Sequence, residues 1–123
     1  MDSDSTTSIA QLKELLLGFR DERDWKQFHD PKNLAEAISI EAAELLELFL
    51  WKSPEDAASL LASDSNFKKA VEDEFADILC FILNLANAAE IDVSRAVHTK
   101  LELNKAKYPV EKAKGVATKY DQL

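Results

Sequence analysis

The chain predicts an all-α fold, an antiparallel bundle of about four main helices plus a short one. Its 123 residues include only two Gly and three Pro, too few for the many turns of a sandwich or barrel. Apolar residues make up 46% of the chain and recur at three- and four-residue spacing over long stretches, as the buried face of a helix requires. Residues suited to capping stand just before those stretches. This apolar content is enough for one domain with its own core. A lone Cys80 leaves no internal disulfide and no Cys-based zinc site, which fits a reducing cytoplasm.

The elements follow in order. Residues 1–8 are polar and are expected to be disordered, and the bundle is expected to span 9–109. Ile9, Leu12, Leu15, Leu16 and Phe19 share one helical face and predict a first helix that ends near Trp25. From Trp25 to Lys32 the periodicity is lost, which predicts a connecting loop holding two aromatics, His29 and Pro31. Asn33 is then the expected cap of a second helix, Leu34 to about Lys52. Ser53 and Pro54 read as N-cap and first helical position, with Glu55 and Asp56 placed where the helix dipole favours acids. That short helix is expected to end near Ala62. Residues 67–89 form the longest predicted helix. Asp92 caps the last, Val93 to Lys107, which Tyr108-Pro109 stops. The remainder, 110–123, is Lys-rich and is expected to be flexible.

Net charge is −8, from 15 basic and 23 acidic residues. That excess opposes nonspecific binding to nucleic acid, whose affinity rests on neutralising phosphates. The charge is uneven, because residues 100–123 hold six Lys against three acids. No basic stretch leads into an apolar segment at the N-terminus, and no run of 18 apolar residues occurs, so neither a signal peptide nor a membrane association is expected.

Helical wheels make the acids informative. On the second helix, Glu41 falls in the middle of the stripe formed by Leu34, Ala37, Ile38, Leu45 and Leu48, with Glu44 on its edge. Glu36 and Glu47 fall on the opposite, solvated side. The long helix repeats the pattern: Glu74 sits within the stripe of Phe67, Val71, Ile78, Phe81 and Leu85, and Asp77 lies on its flank. Any one such Glu is more often an ordinary surface acid. The same arrangement on two helices is harder to dismiss, because converging buried carboxylates repel one another unless a cation compensates. The two His, His29 and His98, are not spaced with these acids, which argues against zinc, and no Glu-x-x-His pair supports a di-iron centre. All-oxygen ligation points to Mg²⁺ first and Mn²⁺ second, with substrate phosphates completing the shell.

The last helix carries a complement. Lys100, Asn104 and Lys107 continue the side that begins with Val93, Ala96 and Val97. This is either a Lys-rich helix end with snorkelling stems or a phosphate clamp. Trp25, Phe28, His29 and Trp51 could stack on a base, although each alone also fits core or interface packing.

These residues resemble the MazG-like, all-α nucleoside triphosphate pyrophosphohydrolases, whose metal motif is Glu-x-x-Glu on one helix and Glu-x-x-Asp on a later one. Here the motif reads Glu41-Ala42-Ala43-Glu44 and Glu74-Phe75-Ala76-Asp77. The segments Arg23–Leu34, Glu44–Lys52 and Lys100–Pro109 are similar, more specifically, to the small dCTP pyrophosphatase branch. The resemblance covers about residues 8–109. It implies Mg²⁺ binding by Glu41, Glu44, Glu74 and Asp77. It also implies a nucleoside pocket lined by Trp25, Lys26, Gln27, Phe28, His29, Trp51 and Phe81, with Lys100, Asn104, Lys107 and Tyr108 near the phosphates. Leu16 and Phe81 stand where animal members place a His and a Tyr, so hydrogen bonding to base or sugar differs there.

The expected reaction is hydrolysis of a (deoxy)nucleoside triphosphate, dCTP or a modified relative, between the α and β phosphates. Glu41 or Glu44 is the expected general base. The resemblance further implies a homo-oligomer, typically a tetramer arranged as a dimer of dimers. Leu79, Cys80 and Leu83 lie off the Glu74 stripe, so the long helix is apolar nearly all round and wants a second surface to bury. The competing class is a noncatalytic helical module that binds a divalent ion or a nucleotide without turnover. Metal acids together with an intact basic segment favour the enzyme.

Overall fold

A computed structural model describes all of residues 1–123. It is entirely helical: α1 (Ile9–Glu22), α2 (Pro31–Leu48), α3 (Pro54–Ser63), α4 (Ser65–Ala88), α5 (Val93–Lys107) and a single turn, α6 (Val110–Ala113), with short 3₁₀ turns at Lys26–Phe28 and Tyr120–Gln122. The chain forms two compact units, 1–91 and 92–123.

In the first unit, α4 is the central element and packs most extensively on α2, and also on α1 and α3. The α2–α4 pair is antiparallel. Phe49, just past the end of α2, meets Phe67 in the first turn of α4, edge to face at 5.6 Å between ring centroids. Glu41 and Glu44, earlier on α2, meet Glu74 later on α4. Leu34 at the start of α2 and Leu83 and Ala86 towards the end of α4 are the buried apolar residues. A second tie is polar. The Asn87 amide donates to the Lys13 carbonyl at 3.1 Å, and the Lys13 ammonium donates to the carbonyl of Ile91 at 2.9 Å, which holds α1 against the end of α4.

Several boundaries differ from those expected. α1 stops at Glu22, with Arg23 as C-cap, because Asp24 takes a left-handed conformation (φ 55°). The cap of α2 is Asp30, not Asn33. The Asp30 carboxylate accepts the Asn33 backbone N–H at 2.9 Å, and Pro31 occupies the first helical position, where its missing N–H costs nothing. Pro31 thus starts a helix where it was expected to lie in a loop. α2 ends at Leu48 rather than near Lys52, and the chain reverses through Trp51 at φ 63°. α4 begins at Ser65, because Asp64 caps it by accepting from Asn66 and Phe67, both at 3.0 Å.

The expected caps of the remaining helices are present. Ser53 accepts from the Asp56 N–H at 3.1 Å, and Asp92 accepts from the Arg95 N–H at 2.8 Å. Ser8 and Gln11 form a reciprocal capping box at the start of α1. In the second unit, α5 continues through Tyr108 and Pro109 into α6, and the Tyr108 and Tyr120 rings meet edge to face at 6.1 Å.

Candidate metal and nucleotide site

Antiparallel pairing of two helices that each carry an acid in the apolar stripe brings the acids together. One carboxylate oxygen from each of Glu41, Glu44 and Glu74 lies within 4.8 Å of the others. Glu41 and Glu74 are half-buried, and the Oε2 atom of each is buried without a hydrogen-bond partner. Glu44 is more exposed. Asp77, also exposed, lies outside this trio, yet its charge raises the pKa of both Glu41 and Glu74.

The electrostatics are those of a site short of positive charge. Burial, followed by contact with Glu44 and the charges of Glu44 and Asp77, pushes the Glu41 carboxyl up to about 7. Glu74 is raised as well, chiefly by burial and by the Glu44 charge. The chain's ion pairs are all elsewhere: Arg20–Asp21, Arg23–Glu22, Lys32–Glu36, Lys69–Asp73, Lys105–Glu102 and Lys119–Asp121. Orphaned buried carboxylate oxygens with no cationic side chain suit a hard divalent cation, whose preferred ligands are oxygens. The donor set therefore fits Mg²⁺ or Mn²⁺, with Glu41, Glu44 and Glu74 as the gathered ligands and Asp77 close enough to add charge.

The aromatic loop is built mainly by local contacts. Trp25 packs edge-on against Phe19 at 5.8 Å, and the Arg23 guanidinium covers the Phe19 ring at 3.8 Å. The Gln27 side chain donates to the Asp24 carbonyl at 3.0 Å, which closes the turn. Lys26 and Phe28 are exposed. His29 is half-buried, and its Nδ1 is buried without a partner. Burial, and then the positive charge of Arg20, lower its pKa, so the ring stays neutral at physiological pH. Arg20, a residue not singled out from sequence, is therefore part of this environment.

Trp51 is 94% exposed in a left-handed backbone conformation that a bulky aromatic rarely adopts. A strained, uncovered Trp is poorly explained by packing within this chain. Phe81 is half-buried two turns beyond Glu74 on α4.

The residues expected near phosphates lie in the second unit. Lys100 is exposed, Asn104 is half-buried, and the Asn104 carbonyl accepts the Tyr108 N–H at 2.8 Å. The Lys107 ammonium lies over the Tyr120 ring at 4.7 Å, which holds that cation close to the helix end. A concavity of about 940 Å³ lies elsewhere in the first unit. It lies between residues 2–7 and the Leu15–Phe19 face of α1 and contains none of the acids gathered above.

Known proteins place this arrangement. The sequence model of the MazG-like family matches residues 37–123. The chain is 37% identical over 119 residues to dCTP pyrophosphatase 1 of Bos taurus, covering 97% of this chain and 70% of the relative. To dCTP pyrophosphatase 1 of Homo sapiens it is 34% identical over 116 residues, covering 94% and 68%. The crystal structure of a pyrophosphatase from Archaeoglobus fulgidus is similar to this fold with a TM-score of 0.77 and 42% identity, over 89% of this chain and 99% of that one. The family model's residues 37–123 include Glu41, Glu44, Glu74 and Asp77. The chain therefore belongs to the MazG-like family, among its pyrophosphatase members.

Proposed function

We propose that the protein is a divalent-metal-dependent nucleoside triphosphate pyrophosphohydrolase. It cleaves a deoxynucleoside triphosphate, dCTP or a modified relative, to the monophosphate and pyrophosphate. The observation that carries this reading is the gathering of Glu41, Glu44 and Glu74 with two buried, partnerless carboxylate oxygens. The pyrophosphatase relatives support the reaction class, and the name dCTP pyrophosphatase 1 supports the base.

Glu41, Glu44, Glu74 and Asp77 would hold Mg²⁺ or Mn²⁺. The cation supplies charge neutralisation at the phosphate oxygens and a lower pKa for the attacking water. Glu41 or Glu44 accepts the proton of the water that attacks the α phosphorus. Lys100 and Asn104, with Lys107 and Tyr108, bind the triphosphate and stabilise the departing pyrophosphate. Trp25, Lys26, Gln27, Phe28, His29, Trp51 and Phe81 enclose the nucleoside.

The working form is proposed to be a homo-oligomer, with a tetramer as the expected state. Ile40, Leu46 and Phe75 are respectively 60%, 69% and 62% exposed on α2 and α4, more apolar surface than a single chain in water favours. No helix is long and apolar enough to cross a membrane. The single Cys80 and the net charge of −8 support a cytoplasmic enzyme that acts on free nucleotides rather than on nucleic acid.

The test is pyrophosphate release from a panel of nucleotides, with and without Mg²⁺ or Mn²⁺. Turnover should require the cation, and Glu41→Gln should lower it by a hundredfold or more, the usual contribution of a general base, while helical content is kept. A folded, cation-loaded sample that cleaves none of the panel would reject this function.

A further inference from the structure

Among the residues proposed to bind the triphosphate, Lys107 is held differently from its neighbour on α5. Lys105, in the same helical turn, is neutralised by the Glu102 carboxylate at 2.7 Å. Lys107 makes no ion pair within the chain. Its ammonium stands instead 4.7 Å from the centre of the Tyr120 ring. A ring attracts an ammonium through its quadrupole and leaves the net charge intact, whereas a carboxylate cancels it. Lys107 is thus placed and still fully cationic, which is what a group that meets a phosphate needs.

Local structure carries the ring back to that position. The Pro109 carbonyl accepts the N–H groups of Lys112 and Ala113 at 3.0 and 2.9 Å, which closes α6, and the Ala113 carbonyl accepts the Val116 N–H at 3.2 Å. Between them the chain turns at Gly115, whose φ of 80° lies in the left-handed region that a residue without Cβ adopts freely. A 3₁₀ turn, Tyr120–Gln122, follows. There the Tyr120 ring meets the Tyr108 ring at 6.1 Å, with 79° between their planes. One residue proposed for the phosphates therefore orients the ring, and the ring in turn holds the other.

We propose that Tyr120 is a positioning residue, whose ring preorganises the Lys107 ammonium for the phosphates of the nucleotide. A lysine stem loses rotamer freedom when a ligand captures its head, and a contact that restricts the stem beforehand lowers that cost. Tyr120 acts through Lys107 rather than on the reacting atoms. This inference rests on the pyrophosphohydrolase reading and deepens it.

The experiment measures kcat and KM, with saturating Mg²⁺ and the deoxynucleoside triphosphate that the chain cleaves best. It compares the wild type, Tyr120→Phe, Tyr120→Leu, Lys107→Ala and the double variant Lys107→Ala/Tyr120→Leu. Tyr120→Leu should raise KM about threefold to tenfold with kcat little changed, the signature of weakened substrate binding. Tyr120→Phe keeps the ring and should keep KM. In the Lys107→Ala background Tyr120→Leu should have no further effect, because the cation that the ring positions is gone. If Tyr120→Leu does not fold, Tyr120→pentafluorophenylalanine decides the question: it keeps the shape, reverses the quadrupole and should raise KM in the same way. A KM unchanged or lowered by these changes, an equal loss in both backgrounds, or a Tyr120→Phe chain as impaired as Tyr120→Leu would overturn the assignment while the pyrophosphohydrolase reading stands. A wild-type chain that cleaves no nucleotide overturns both.

Discussion

The α2–α4 pair has two contrasting stretches. At one end Phe49 and Phe67 meet edge to face, and the Lys52 ammonium stands 5.6 Å from the Phe67 ring centre. Apolar area is removed from water there, and no polar group is left without a partner. About two turns along, the same helices press Glu41, Glu44 and Glu74 together with nothing positive between them. The first contact holds the pair in register. The second opposes that contact and persists only because packing elsewhere over-determines it. Proteins tolerate such uncompensated charge where a ligand is meant to complete it. The fold therefore stores its least favourable electrostatics where the chemistry is proposed.

Supplying the cation tests this contrast with the largest effect. Mg²⁺ or Mn²⁺ at a hundred times its Kd should stabilise the chain by about 2.7 kcal/mol, a rise in Tm of roughly 10 °C at this size. In Glu41→Gln the order should reverse: the metal-free variant melts above the metal-free wild type at neutral pH, and added cation shifts it much less. Calorimetric scans of the two proteins, with and without cation, measure both effects.

Breaking the apolar end should cost somewhat less. Phe67→Ala should lower stability by about 2 kcal/mol, below the range for a fully buried Phe because the ring is half-buried. Turnover per folded molecule should remain. Denaturant unfolding together with pyrophosphate release separates the two quantities.

A further effect is in pH. The Glu41 carboxyl is raised to about 7 in the folded, metal-free chain, against an ordinary value of 4.5. Between those values the folded chain holds a proton that the unfolded chain has lost. Metal-free stability should therefore fall as pH rises from about 4.5 to 7 and level off above that. With saturating cation the fall should vanish, since the cation takes the proton's place. A metal-free chain whose stability rises across this window would contradict the crowded-carboxylate reading of Glu41.

Much of this was legible because helical periodicity is a local property. Glu41 and Glu74 could be recognised as displaced acids from the Leu, Ile and Phe residues around them, with no knowledge of which helix met which. Caps were legible where the side chain and the first turn agreed, as at Ser53-Pro54 and Asp92. At Asp30-Pro31 the same chemistry is present, but the aromatics before it interrupt the apolar pattern, and a Pro where periodicity is lost predicts a loop as readily as a first helical residue. Arg20 left no sequence signal at all. Its influence on His29 depends on the turn at Asp24 bringing the end of α1 back towards the loop.

The sequence by itself determined the helices, the stripe on each and the fact that carboxylates interrupt two of those stripes, because side-chain direction along a helix depends only on the spacing of residues. Tertiary structure decided the rest. The antiparallel register of α2 on α4 chose Glu41, Glu44 and Glu74 as the gathered trio and left Asp77 at its margin. It also left the Glu41 and Glu74 Oε2 atoms buried and unpaired while Asn87 found the Lys13 carbonyl. Whether a polar group is satisfied depends on what packs opposite it, and that is a property of the folded chain rather than of any segment.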